Sequence, residues 1–130
     1  MASFYRDVLG LTVLAETDAT GEDFNRHVGI PNAKRWLVFV GKKQSSHRLE
    51  LVYYEQPESP DGHLQFNALG STHVAFSVQD LDGMYRDLKD KGLNFVTPPV
   101  RRDSPFGRIN TAFAHDPEGN WLEFLERLSD

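Results

Sequence analysis

Two stretches of this chain repeat one another, and that repeat limits the possible folds more than any other feature. Tyr5-Arg6-Asp7-Val8-Leu9-Gly10-Leu11 returns loosely as Tyr85-Arg86-Asp87-Leu88, followed by Gly92-Leu93. Recurrence of this kind marks a chain made from copies of one supersecondary unit. Each copy reads as a short helix stopped by glycine. In the second, Asp80 can cap, and Leu81, Met84, Tyr85 and Leu88 fall at i, i+3, i+4 and i+7. Gly92 suits the position just past the helix end, so an amphipathic helix packed on a sheet is expected there.

Strand-like segments follow each helix. In the first half they are Thr12-Val13-Leu14, Trp36-Leu37-Val38-Phe39-Val40 and Arg48-Leu49-Glu50-Leu51-Val52-Tyr53-Tyr54. In the second they are Asn94-Phe95-Val96, Ile109-Asn110-Thr111-Ala112-Phe113 and Trp121-Leu122-Glu123-Phe124-Leu125. Both halves close alike, on Leu49-Glu50-Leu51 and Leu122-Glu123-Phe124, so two carboxylates take matching places. Pro57, Pro60, Gly62 and Gly70 mark residues 57–70 as an exposed connector between a first module at about 1–56 and a second at 71–130. The second half opens on an alternating strand, His73-Val74-Ala75-Phe76-Ser77-Val78, that the first half lacks. His73 precedes Tyr85 by twelve residues (85 − 73), and the same offset from Tyr5 falls upstream of Met1. The first module is therefore expected either to continue upstream or to do without its opening strand and cover the bared edge with a partner or another segment.

Composition narrows the function classes. With 130 residues, 39% of them hydrophobic, the chain is expected to build one compact domain. A net charge of −5 offers no basic field for nucleic acid or an anionic membrane. The absence of cysteine excludes disulfides, thiolate metal sites and a cysteine nucleophile, so any metal must use His and carboxylates. No leader-like start and no apolar run of membrane-spanning length is visible, which makes the cytoplasm the default expectation.

Tandem βαβββ modules with this punctuation resemble the vicinal-oxygen-chelate superfamily of glyoxalases, bleomycin-resistance proteins and extradiol dioxygenases. The matching segments are Phe4-Tyr5-Arg6-Asp7-Val8-Leu9-Gly10-Leu11, Leu49-Glu50-Leu51, Thr72-His73-Val74-Ala75-Phe76 with Asp80-Leu81-Asp82, and Asp116-Pro117-Glu118-Gly119-Asn120-Trp121-Leu122-Glu123. They span nearly the whole chain in the family's order. The resemblance implies an α+β fold and a divalent metal held by Glu50, His73 and Glu123, with no counterpart here to the family's fourth ligand. Imidazole and carboxylate donors suit Ni, Co, Zn, Mn or Fe. It further implies that the metal chelates adjacent oxygens of a small substrate while Glu50 or Glu123 shifts a proton through an enolate, as in a lyase, isomerase or epimerase. A non-catalytic drug-binding protein is the alternative. An Fe(II) extradiol dioxygenase comes third, because its triad needs a second histidine on the missing strand. A homodimer is the expected assembly, by analogy with the same family.

The remaining polar residues carry blander expectations. His27, His47, His63 and His115 lie in or beside loops, where solvated histidine is usual. Arg26, Lys34, Arg35, Arg101, Arg102 and Arg108 read first as solvated charge, and otherwise as clamps for an anionic group on a substrate. The stretches His27–Pro31, 98–101 and Ser104–Gly107 read as loops bordering the substrate cup. Phe24 and Phe106 are candidates to line it, and Trp36 is expected in the core.

Overall fold

The computed structural model describes residues 1–60 and 62–129. Asp61, within the expected connector, and Asp130, at the end of the expected second module, lie outside the described residues. The chain divides into two compact units, Met1–Gly62 and His63–Asp130, and the division falls inside the expected connector. The class is α+β, as the repeat implies.

Unit one runs from a single π-helical turn, Phe4–Val8, through β1 (Thr12–Asp18), α1 (Glu22–Val28) and β2 (Lys34–Gly41) to β3 (Arg48–Gln56). The turn buries Tyr5 and ends where Leu9 N–H donates to Phe4 O. The three strands form one antiparallel sheet in the order β1-β2-β3, so within this sheet β3 is paired on one side. Leu37, Val38 and Val40 on β2 are buried together with Ala19, Ala33 and Tyr5. Two expectations fail here. Residues 22–28 are helical, although the sequence from His27 reads as a loop; Gly29, at φ 71°, is the left-handed residue that ends the helix. Trp36 is 42% exposed rather than in the core, and its indole N–H reaches Glu16 Oε2 at 3.3 Å.

Unit two holds β4 (His73–Ser77), α2 (Leu81–Asp90), β5 (Val100–Ser104), β6 (Gly107–His115) and β7 (Trp121–Arg127). Its sheet has the order β4-β7-β6-β5; β4 lies parallel to β7, and the other pairs are antiparallel. The helix forms where the spacing places it. Asp80 Oδ1 accepts the Gly83 N–H, and the far end closes with Gly92 N–H to Lys89 O and Leu93 N–H to Leu88 O. Leu81 and Leu88 are buried on α2, as are Leu122, Phe124, Ala112 and Ala114 on the strands. Phe124 stacks on Phe76 and meets Phe95, joining β4, β7 and the segment after α2 in one aromatic core. Glu126 reaches back from β7 to accept the Asp80 and Leu81 N–H groups, so its carboxylate sits at the positive end of the helix.

The expected strand Asn94-Phe95-Val96 is reduced to a single bridge, Phe95 to Ala114, and β5 forms instead over Val100–Ser104, a stretch expected to be partly loop. Both lie against β6, at Ala114 and at Thr111. Pro98 and Pro99, which have no N–H to donate, separate the two contacts.

Candidate functional site

The repeat survives in the strand register. Glu50 on β3 stands directly across from Phe39 on β2, and Glu123 on β7 directly across from Phe113 on β6. Each carboxylate therefore faces a phenylalanine on the antiparallel strand that precedes its own, although β3 is an edge strand and β7 is paired on both sides. Their surroundings differ. Glu50 is exposed, and among the described residues no hydrogen bond fixes its carboxylate. Glu123 is only 7% exposed.

A buried carboxylate is costly unless its oxygens are engaged. Here both are. The Thr111 hydroxyl donates to Glu123 Oε1 at 2.7 Å, while His73 Nε2 lies 3.3 Å from Glu123 Oε2. The sheet makes this meeting automatic. His73 pairs with Trp121 and Ala75 with Glu123 across the parallel β4–β7 ladder, so His73 and Glu123 project from one face, one diagonal step apart. Thr111 and Phe113 belong to that face through β6.

Aromatic rings surround the imidazole. Phe66 stacks on His73 with centroids 5.9 Å apart, and Phe113 meets it edge-on at 5.4 Å. Phe66 also packs against Trp121, and the Trp121 indole N–H donates to Leu64 O at 3.0 Å, tying residues 64–66 to the strand that carries Glu123. The result is an imidazole and a carboxylate side by side against an apolar wall.

Two donors bound to one ion at tetrahedral or octahedral angles lie about 2.9–3.4 Å apart when metal–nitrogen and metal–oxygen bonds are about 2.0–2.2 Å. The His73–Glu123 spacing of 3.3 Å falls in that range. Thr111 supplies the outer hydrogen bond that orients a ligating carboxylate. Among the described residues, no group of three or more His, Cys, Asp or Glu side chains stands together as an ion's donors. Of the three expected ligands, the structure thus brings His73 and Glu123 together within unit two, and Glu50 belongs to unit one.

The model of one protein family, the Glyoxalase/Bleomycin resistance protein/Dioxygenase superfamily, matches residues 1–124. The chain belongs to this superfamily. A superfamily relative in Pseudomonas aeruginosa, a lactoylglutathione lyase, is 30% identical over 95% of this chain and 72% of its own length. A glyoxalase family protein from Bacillus cereus superposes with a TM-score of 0.81 at 23% identity, covering 95% of this chain and 82% of the other. TnmS3, an antibiotic binding protein from Streptomyces, gives a TM-score of 0.62 at 20% identity over 97% of this chain and 83% of its own. The glyoxalase fold therefore houses both an enzyme class and a binding class among these neighbours.

Several site residues escape a reading of the sequence alone. Thr111 lies inside a run legible only as a strand, and its role depends on a register that no local pattern reveals. Phe66 belongs to the connector, where nothing marks it as a neighbour of His73. Arg35, read as solvated charge, is buried; its guanidinium donates to Phe24 O at 3.1 Å and lies over the Tyr54 ring. Among the described residues, no helix is long and apolar enough to cross a membrane.

Proposed function

We propose that this chain is a metal-dependent lyase or isomerase of the glyoxalase I type, acting on a small molecule with two adjacent oxygens. The observation that carries the reading is the His73–Glu123 pair, at a spacing suited to a shared ion and with the carboxylate oriented by Thr111. His73 and Glu123 would hold the ion, with Glu50 the further ligand that the family resemblance implies, and Ni, Co, Zn, Mn or Fe suits this donor set. When bound, such an ion supplies Lewis acidity to the substrate's vicinal oxygens.

The protein's own groups divide the remaining work. Glu123 is buried and held through Oε1 by the Thr111 hydroxyl, which suits it to hold rather than to move. Glu50 is exposed and untethered, which suits its carboxylate to take the proton from the carbon beside the substrate carbonyl and return it to the neighbouring carbon. Phe66, Phe113 and Trp121 give the His73 side an apolar wall against which a substrate can lie. The partner class is therefore a small molecule, and a homodimer remains the proposed assembly, checked by light scattering.

The test is elemental analysis of metal-stripped protein after titration with Ni(II), Co(II), Mn(II) or Zn(II), together with formation of the lactoylglutathione thioester from its isomeric hemithioacetal. One ion per chain is expected. His73→Ala should abolish retention, and Glu50→Gln, whose amide oxygen can still ligate but cannot act as a base, should lower turnover by roughly a hundredfold or more in the ion-loaded protein. Protein that takes up no ion with either sequence overturns the reading. The ring cluster at Phe66 and Trp121 also favours a second reading, sequestration of a planar ligand as an antibiotic-binding protein does. Ligand binding that is indifferent to chelator would select it.

A further inference from the structure

A pair of imidazoles lies in unit two, and the proposed function uses neither of them. His63, at the start of the unit, and His115, the last residue of β6, have ring centroids 6.3 Å apart with the planes at 67°. Both expectations for these residues were of ordinary solvated histidine. His115 is instead held firmly. Its Nδ1 faces Gly119 O at 3.3 Å, and a carbonyl only accepts, so this contact favours the tautomer with the proton on Nδ1 and leaves Nε2 as the ring nitrogen available to an ion. Its ring also lies 3.9 Å from that of Trp121. A histidine whose Nδ1–H is anchored on a backbone carbonyl presents Nε2 in the manner of a metal ligand.

Gly119 also makes room for the other ring. A Cβ on residue 119 would stand 2.9 Å from His63 Cγ and 3.2 Å from its Nδ1, so the His63 imidazole occupies space that only glycine leaves open. Within bond lengths of about 2.0–2.1 Å to nitrogen, two rings sharing one ion have centroids roughly 4.5–6.4 Å apart, depending on the angle at the metal. The observed separation lies within that interval at its wide end. His63 is exposed, so a small side-chain rotation can close it.

We propose that His63 and His115 form a bidentate transition-metal site, separate from the His73–Glu123 pair and completed by water. Neutral imidazoles without carboxylate partners select the later divalent ions, copper(II) most strongly, then nickel and zinc. An ion bound there clamps the start of unit two to the end of β6. That clamp reinforces the Trp121–Leu64 hydrogen bond and holds Phe66 on His73.

The experiment is a copper(II) titration of the metal-free full-length chain, followed by imidazole NMR signals and by equilibrium dialysis. The His63 and His115 signals should broaden together at substoichiometric copper, ahead of His27 and His47. His63→Ala and His115→Ala should each weaken this binding at least tenfold, as expected when a chelating pair becomes a single ligand. His73→Ala should leave it unchanged, so the fate of this site is read separately from that of the His73–Glu123 site. Should His115→Ala fail to fold, His63→Ala decides alone, because its side chain is exposed. Broadening spread evenly over all the histidines, affinity within twofold of the parent in the His63 variant, or loss of the site in His73→Ala would each overturn the proposal.

Discussion

Replacing Thr111 with valine removes one hydroxyl and almost nothing else. Thr111 is 6% exposed and Glu123 7%, and the 2.7 Å contact between them joins a buried donor to a buried carboxylate. Valine matches the shape of threonine, so no cavity term enters. What is lost is a hydrogen bond to a charged acceptor, worth about 1.5–3 kcal/mol, and the Glu123 oxygen it leaves is desolvated without a donor. With a urea slope of about 2 kcal/mol/M, a loss near 2 kcal/mol moves the unfolding midpoint down by roughly 1 M. Trp121 pairs with His115 on the same sheet and is a suitable fluorescent reporter of the transition. A double-mutant cycle with Glu123→Gln separates this pair from its surroundings, and a coupling above roughly 1 kcal/mol is expected. The reasoning is refuted if Thr111→Val unfolds at the parent's midpoint with an unchanged slope, or if the cycle closes additively.

Other perturbations test the frame around the site. Glu126→Ala should cost about 1–2 kcal/mol, because two backbone N–H groups at the start of α2 lose their acceptor together with a favourable charge; faster amide exchange at Leu81 is the local readout, and unchanged exchange would count against the cap. Phe124→Ala should be far more damaging, about 3–5 kcal/mol, since the ring is 1% exposed, stacked on Phe76 and tilted against Phe95; calorimetry measures it. Gly119→Ala should cost about 1–3 kcal/mol from its φ of 83° alone. The same change should displace His63, visible as a shifted ring signal.

Period and punctuation made part of this architecture legible in advance. The helix at Leu81–Asp90 was readable because its apolar spacing, its Asp80 cap and its Gly92 stop all agree. The equivalence of Glu50 and Glu123 was readable because the halves end alike, and the register now places both opposite a phenylalanine. The helix Glu22–Val28 was not readable, since it has no buried residue and hence no apolar stripe to betray its period. Strand β5 was hidden for a similar reason: Val100-Arg101-Arg102-Asp103-Ser104 is an edge strand whose charged side chains make a solvated surface, with Arg101 in an ion pair with Asp82. Thr111 and Phe66 were invisible because their importance depends on which strands lie side by side, and that is settled by pairing across dozens of residues.

The parallel pairing of β4 with β7 has a consequence for how the protein is born. His73 meets Trp121 across a separation of 48 residues (121 − 73), and β7 is made after β4, β5 and β6. On the ribosome, β4 and α2 emerge with no strand to lie against until residues 121–127 clear the exit tunnel, so closure of the second sheet is a late, long-range event. The imidazole of His73 and the carboxylate of Glu123 are brought together by that same closure. The site therefore cannot exist on a half-made chain, and a nascent protein has no means of gathering these two donors around an ion before the fold that governs their use is finished.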